Sequence, residues 1–163
     1  MKKIASVVAA LAILGGGSAA MWAQSAHVLS APADAKWGPA PPFVPEGAQI
    51  AVLSGDPTKS AAYAVRLKFP ANYAIPAHSH PTDENVVVVS GSVTFGIGDK
   101  LMKGAADNKT LPPGGYALQP AGMNHFAYTG TQEATIVLFG QGPVDFKYVN
   151  PNDDPRNKKN TTR

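Results

Sequence analysis

The feature that most constrains this chain is how often its apolar sequence is interrupted by turn residues. Sixteen Gly and fifteen Pro fall within 163 residues. They cut the apolar pattern into pieces long enough for strands and too short for amphipathic helices. Turn clusters stand at Ser54-Gly55-Asp56-Pro57, Ser90-Gly91, Pro112-Pro113-Gly114-Gly115 and Thr129-Gly130-Thr131. Between them, strands are expected at 49–53, 62–69, 73–77, 84–90, 92–97, 115–119, 124–129, 134–139 and 145–148. Residues 104–109 fit one helical turn. A series of short strands without long helical periods predicts an all-β domain, a small barrel or sandwich of two antiparallel sheets. The length suits one domain, which at this size buries roughly two-thirds of its unfolded surface.

The two ends read differently from the body. Lys2 and Lys3, the apolar run 4–14 and the small residues Gly15, Gly16, Gly17, Ser18, Ala19 and Ala20 have the layout of a secretory signal peptide. The expected segment is 1–23, with cleavage between Ala20 and Ala26. A membrane anchor is the competing reading, but the run falls short of the roughly twenty apolar residues a span needs. Export by the general secretory route places the mature domain in the periplasm or outside the cell. Residues 24–47 form an extended Pro/Ala-rich lead-in, which Trp37 and Phe43 are expected to pin to the body. The domain proper is expected at 48–149, and 150–163 as a loose polar tail. Fourteen Lys and Arg, less the two in the signal segment, leave twelve against eleven Asp and Glu, a net charge of +1. That balance excludes a nucleic-acid partner. Zero Cys excludes disulfides, thiolate nucleophiles and Cys-based metal sites.

Three of the four histidines carry the chemistry. His78 and His80 are two apart, so on a strand both imidazoles project from one face. Glu84 follows past Pro81-Thr82-Asp83, a turn able to bring its carboxylate round to the pair. Asp83 adjoins it, but alternation sends neighbours to opposite faces, so Asp83 reads as a turn residue. His125 comes much later, directly after Pro120-Ala121-Gly122-Met123-Asn124. Neutral imidazoles with one carboxylate suit a borderline divalent ion such as Zn, Cu, Mn, Fe or Ni; calcium prefers an all-oxygen shell. His27 lies in the lead-in and receives no role.

At these positions the sequence resembles the cupin superfamily. The first cupin motif, Gly-x5-His-x-His-x3,4-Glu-x6-Gly, corresponds here to Asn72, His78, His80, Glu84 and Gly91. The second, Gly-x5-Pro-x-Gly-x2-His-x3-Asn, corresponds to Gly114, Pro120, Gly122 and His125, with Thr129 where the pattern has Asn. Asn72 stands in the place of the first Gly and tolerates the left-handed backbone a turn there requires. The resemblance covers residues 49–148 and implies a cupin-type jelly roll, or double-stranded β-helix, with one divalent transition-metal ion held by His78, His80, Glu84 and His125.

Alternation then sketches the surroundings. With Glu84 inward, Val86 and Val88 are inward too; with His125 inward, so is Ala127, while Phe126 and Tyr128 point away. Tyr73, Gln119 and Met123 are further candidates for the cavity mouth. Arg66 and Lys68 share one strand face, either solvated outside the barrel or turned to an anionic substrate. A mostly apolar cavity round one ion suits a modest organic molecule. Two functions fit: a metal-dependent enzyme, dioxygenase-like or a Lewis-acid isomerase or lyase, and a non-catalytic module binding metal or a small ligand. The expected partner is a small molecule, with no stable membrane insertion once the signal is removed. The resemblance also admits a homodimer.

Overall fold

Period-two burial builds the frame. Along residues 62–69, Tyr63, Val65, Leu67 and Phe69 are buried, while Ala64, Arg66 and Lys68 stay half-exposed. Residues 84–88 repeat the pattern with Glu84, Val86 and Val88 buried. In the computed structural model, which describes residues 27–158, eleven strands result: β1 (Gly38–Pro39), β2 (Gln49–Ser54), β3 (Ala62–Phe69), β4 (Ala74–Ser79), β5 (Glu84–Ser90), β6 (Val93–Ile97), β7 (Lys109–Leu111), β8 (Tyr116–Gln119), β9 (His125–Thr129), β10 (Ala134–Gln141) and β11 (Lys147–Tyr148). They form a six-stranded sheet, β1-β2-β3-β10-β5-β8, and a five-stranded sheet, β11-β4-β9-β6-β7, with every pairing antiparallel. The expected all-β, two-sheet jelly roll is what the chain adopts. Its core lies between the sheets, around Val65, Leu67, Phe69, Val86, Ile136 and Leu138.

Two expectations need correction. Residues 104–109 form turns and then enter β7 at Lys109, without a helical turn. The neighbouring Asn108 explains the shape: its side chain donates to the Met102 carbonyl and to the Tyr128 hydroxyl, holding an open loop. That loop covers the outer face of β9, so Phe126 points away from the barrel as expected and is nevertheless buried. A Cβ at Gly96 would overlap the Phe126 ring and Asn108. The segment following residue 149 is not loose as far as it is described. It makes two 3-10 turns, Pro151–Asp153 and Pro155–Asn157, and Arg156 bonds the carboxylates of Asp145 (2.8 Å) and Asp154 and the Phe146 carbonyl.

The described part of the lead-in, residues 27–47, is not extended throughout: it makes a 3-10 turn at Pro32–Asp34 and further turns at 42–47, and it adds a short strand to the six-stranded sheet. Its Gly38 and Pro39 pair with β2 as an edge strand, the place where a sheet tolerates proline. Val44 is buried, Phe43 packs against Phe146 at 5.1 Å, and the Tyr148 hydroxyl donates to the Phe43 carbonyl. Trp37 lies under the Lys68 ammonium, 4.6 Å from its ring centroid. Lys68 and Arg66 therefore occupy the outer face of β3. The signal-like segment, residues 1–23, lies outside the described residues. Among those described, no helix is long and apolar enough to cross a membrane.

The two departures from the motif pattern meet at one turn. Asn72 adopts φ 57°, the left-handed conformation its motif position requires. Thr129, at the end of β9, accepts from the Tyr73 amide (2.9 Å) and donates to the Pro70 carbonyl (2.8 Å), clamping that turn from inside. Thr129→Val is expected to lose about 1–3 kcal/mol, because a buried amide and a partly buried carbonyl lose their partner. The check is a lower urea midpoint at unchanged slope.

Candidate metal centre

The imidazoles come from neighbouring strands of the five-stranded sheet, and the carboxylate comes from the sheet opposite. His78 lies in β4 and faces His125, the first residue of β9, as a direct cross-strand pair. Between Ile75 and His78 the register slips, so β4 carries a bulge around Pro76, where a missing N–H does least harm. The extra residue returns His78 to the inner face, and His80 follows just past the strand end. Glu84 opens β5, beside Gln119 of β8. Two contacts fix the loops relative to each other. The Gly122 amide donates to the His80 carbonyl (2.9 Å), and the Ala121 amide donates to the Asp83 carboxylate (2.8 Å). Gly122 has φ 73°, a left-handed conformation that glycine adopts at no steric cost. Asp83 is the turn residue its position suggested.

All three imidazoles are oriented in the same manner. Nδ1 of His78 lies 2.7 Å from the Pro76 carbonyl, Nδ1 of His80 3.2 Å from the Asp145 carbonyl, and Nδ1 of His125 3.0 Å from the Met123 carbonyl. A carbonyl only accepts, so each Nδ1 carries the proton and each Nε2 keeps its lone pair for the centre. His80 Nε2 lies 3.2 Å from His125 Nε2 and 3.4 Å from a Glu84 oxygen. The ligand-capable nitrogens of the three histidines lie within 4.8 Å of one another. Nitrogens bound at about 2.0–2.1 Å to one tetrahedral ion stand about 3.3 Å apart. Two lone pairs facing each other at 3.2 Å repel unless a cation or proton lies between them. The donor set thus fits one divalent transition-metal ion, and the inner space touching His78, Glu84 and His125, about 20 Å³, has room for a particle the size of a water.

Burial sets the charge states. His78 is held well below the ordinary imidazole pKa, chiefly by burial and then by charge on His125 and His80. Burial also lowers His125. Burial works against a proton on His80 too, but the Glu84 carboxylate beside it and the Asp145 carbonyl outweigh that, and its pKa is raised. In the metal-free protein His80 is therefore the imidazole that takes a proton. Phe146 walls the cluster, stacked on His78 at 4.1 Å and edge-on to His80 at 4.8 Å.

Two larger spaces reach the cluster. An apolar cavity of about 270 Å³ shares Leu67, Glu84, Leu138 and Phe146 with the inner space. The lead-in residues Pro41, Pro42, Phe43 and Val44 line one side of it. A polar groove of about 530 Å³ meets His80 from outside, past Asp145, Lys147 and Asn124. Of the pocket residues expected from alternation, Val86 and Ala127 line the inner space. Val88 lies deeper in the core, and Gln119 is buried beside Glu84. Tyr73 is a correction. It precedes β4 at the end away from His78, stacks on Phe69 at 5.3 Å and bonds the Pro45 carbonyl through its hydroxyl. Met123 is a second correction: it serves through its carbonyl, and its side chain, 39% exposed, lines none of these spaces. The tyrosine in the apolar cavity is Tyr63. Opposition to Arg66 and Lys68 on β3 was the signal that would have placed it inside.

Comparison with known proteins agrees with this architecture. The family model described as "Domain of unknown function (DUF4437)" matches residues 28–161, and the chain belongs to that family. Its fold is that of the cupin superfamily. The polyketide cyclase RemF from Streptomyces resistomycificus superposes with a TM-score of 0.61 at 18% identity, covering 81% of this chain and 89% of that one. An RmlC-like cupin from Shewanella frigidimarina NCIMB 400 gives 0.54 at 20% identity, over 73% and 94%. KdgF from Halomonas sp. gives 0.52 at 18%, over 73% and 96%. No curated protein sequence matches the chain.

Proposed function

We propose that this member of the DUF4437 family is an exported, metal-dependent cupin enzyme acting on a small organic molecule. The observation that carries the reading is the convergence of three Nδ1-tethered imidazoles, with His80 Nε2 3.2 Å from His125 Nε2 and 3.4 Å from Glu84. His78, His80 and His125 would hold the ion through Nε2 and Glu84 through its carboxylate. When bound, such an ion supplies Lewis-acid polarisation of a ligand oxygen, or redox chemistry of the dioxygenase kind where the metal permits it. The chain's own residues do the rest. Phe146 keeps water from one side of His78, the Nδ1 contacts keep the imidazoles neutral and aimed, and the apolar cavity places an organic ligand against Glu84. A cavity opening beside the cluster favours a reacting centre over a storage site. The polyketide cyclase of similar fold is a precedent for a small organic ligand.

Export bears on which metal is taken. A chain carried out unfolded selects its ion outside the cytoplasm, where the Irving–Williams order favours Cu and Zn over Mn and Fe at a nitrogen-rich site. The protein isolated from its compartment is expected to contain Zn or Cu at about one equivalent and to lack residues 1–23. Elemental analysis, intact mass and oxygen consumption with candidate enols check this together. Zn points to the Lewis-acid isomerase or lyase class, since that ion has no redox chemistry. Stoichiometric Fe or Mn with substrate-dependent oxygen uptake would overturn the metal ranking and select the dioxygenase. Retention of Met1 to Ala20 would replace export by anchoring.

A further inference from the structure

The hydroxyl of Tyr63 stands out among the five tyrosines of the chain. Tyr73 bonds Pro45, Tyr116 bonds Asn85, Tyr128 accepts from Gly104 and Asn108, and Tyr148 bonds Phe43. Tyr63 has no protein hydrogen-bond partner among the described residues, although its side chain lies inside the barrel and the residue is only 5% exposed. The hydroxyl opens onto accessible space instead of packing against protein, so it is free to donate to the oxygen of a ligand held there. The space before it is the apolar cavity of about 270 Å³, where the polar side chains are Tyr63, Glu84 and the rim residue Thr58. No Lys or Arg lines it. A carboxylate or phosphate placed there would meet no cation and would face Glu84. At interior packing density, about 0.74, the volume holds roughly a dozen non-hydrogen atoms.

We infer that this cavity binds an uncharged ring compound carrying a carbonyl or hydroxyl oxygen, that Tyr63 donates to that oxygen, and that Pro41, Pro42, Phe43 and Val44 of the lead-in form the roof. The inference rests on the preceding reading only for the metal cluster as the reacting centre beside this pocket. It replaces "small organic molecule" with a neutral, largely apolar, bicyclic-sized ketone or phenol. Tyr63 is the residue that discriminates between an oxygen-bearing ring and the bare hydrocarbon.

The test titrates the protein as isolated with three probes: 1-tetralone, a neutral bicyclic ketone; tetralin, the same rings without oxygen; and 2-naphthoate, a carboxylate of similar size. Saturable binding of 1-tetralone is expected at one per chain, with 2-naphthoate at least about tenfold weaker. Tyr63→Phe should weaken 1-tetralone about three- to tenfold, the effect of one neutral hydrogen bond, and leave tetralin unchanged. Val144→Trp, which fills the cavity from a half-buried wall, should abolish binding of both neutral probes. Equal or tighter binding of 2-naphthoate, no saturable binding of 1-tetralone, or an equal effect of Tyr63→Phe on 1-tetralone and tetralin would overturn the inference. Elemental analysis of the same samples separates the two readings. One equivalent of metal without 1-tetralone binding removes the ligand assignment alone, whereas 1-tetralone binding by protein that takes up no metal removes the metal assignment alone.

Discussion

Replacing His80 with alanine is expected to lower bound metal from about one equivalent to a background level and to abolish the rise in melting temperature that added Zn produces in the parent protein. His80 is the hub of the cluster: its Nε2 is the atom recorded close to both His125 Nε2 and Glu84. Altering an outer-shell partner of a metal ligand typically costs ten- to a hundredfold in affinity; loss of the ligand itself should cost at least the upper end of that range. An ion present at a thousand times its dissociation constant stabilises the fold by about 4 kcal/mol, and that increment disappears when binding does. Two controls isolate the effect. His27→Ala changes an exposed residue of the lead-in. Asp83→Asn alters the carboxylate next to Glu84 but retains an acceptor for the Ala121 amide. Both should keep metal and the Zn-dependent shift. Unchanged metal content in His80→Ala would remove the cluster from the assignment, and loss of metal in Asp83→Asn would make Asp83, instead of Glu84, the carboxylate partner.

The parts of this molecule that the sequence makes legible are those governed by short periods. Alternation in residues 62–69 and 84–88 specifies which side chains enter the barrel, and the spacing of His78, His80, Glu84, Gly122 and His125 brings the cluster and its loops together. What it conceals depends on partners distant in the chain. The bulge at Pro76 is invisible in a pattern that assumes a regular strand, yet it returns His78 to face His125. Tyr73 and Tyr63 are both buried aromatics on inward faces. They differ because Tyr73 finds the Pro45 carbonyl of the lead-in, whereas Tyr63 finds an open cavity. Residues 150–158 look like a polar tail until Arg156 meets Asp145, which adjoins Phe146, the ring stacked on His78. A lone Arg in a polar stretch carries no sign of the carboxylate waiting on another loop. Phe43 and Val44 are similar: apolar residues in a Pro-rich segment announce burial, but not that they roof a cavity beside Glu84.

Acidity should act on the metal-free and metal-loaded proteins in different ways. In the metal-free protein, the pKa values of His78 and His125 are depressed relative to the unfolded chain. Below the unfolded value, about 6.5, the unfolded chain binds protons that these buried rings refuse, so their contribution falls as pH drops. His80 has the opposite sign. Its folded pKa is raised, so its contribution is complete below about 6.5 and is lost as pH rises through the folded value. On these three groups the chelated protein should therefore melt highest above pH 6.5, with the melting temperature falling on the acid side as His78 and His125 refuse protons and on the alkaline side as His80 loses its own. Metal changes the acid limb most. All three Nε2 atoms must be free of protons to bind it, and His80 releases its proton last because Glu84 stabilises the imidazolium. Apparent affinity for Zn should rise by about tenfold per pH unit while that one proton is being displaced, then level off once His80 is neutral. Calorimetric titration of chelated protein with Zn across pH 5.5 to 8, beside thermal melts, checks both limbs. Glu84→Gln, which removes the charge that raises His80, should shift the affinity curve to lower pH while weakening its plateau. An unshifted curve would show that His80 and Glu84 do not share the proton.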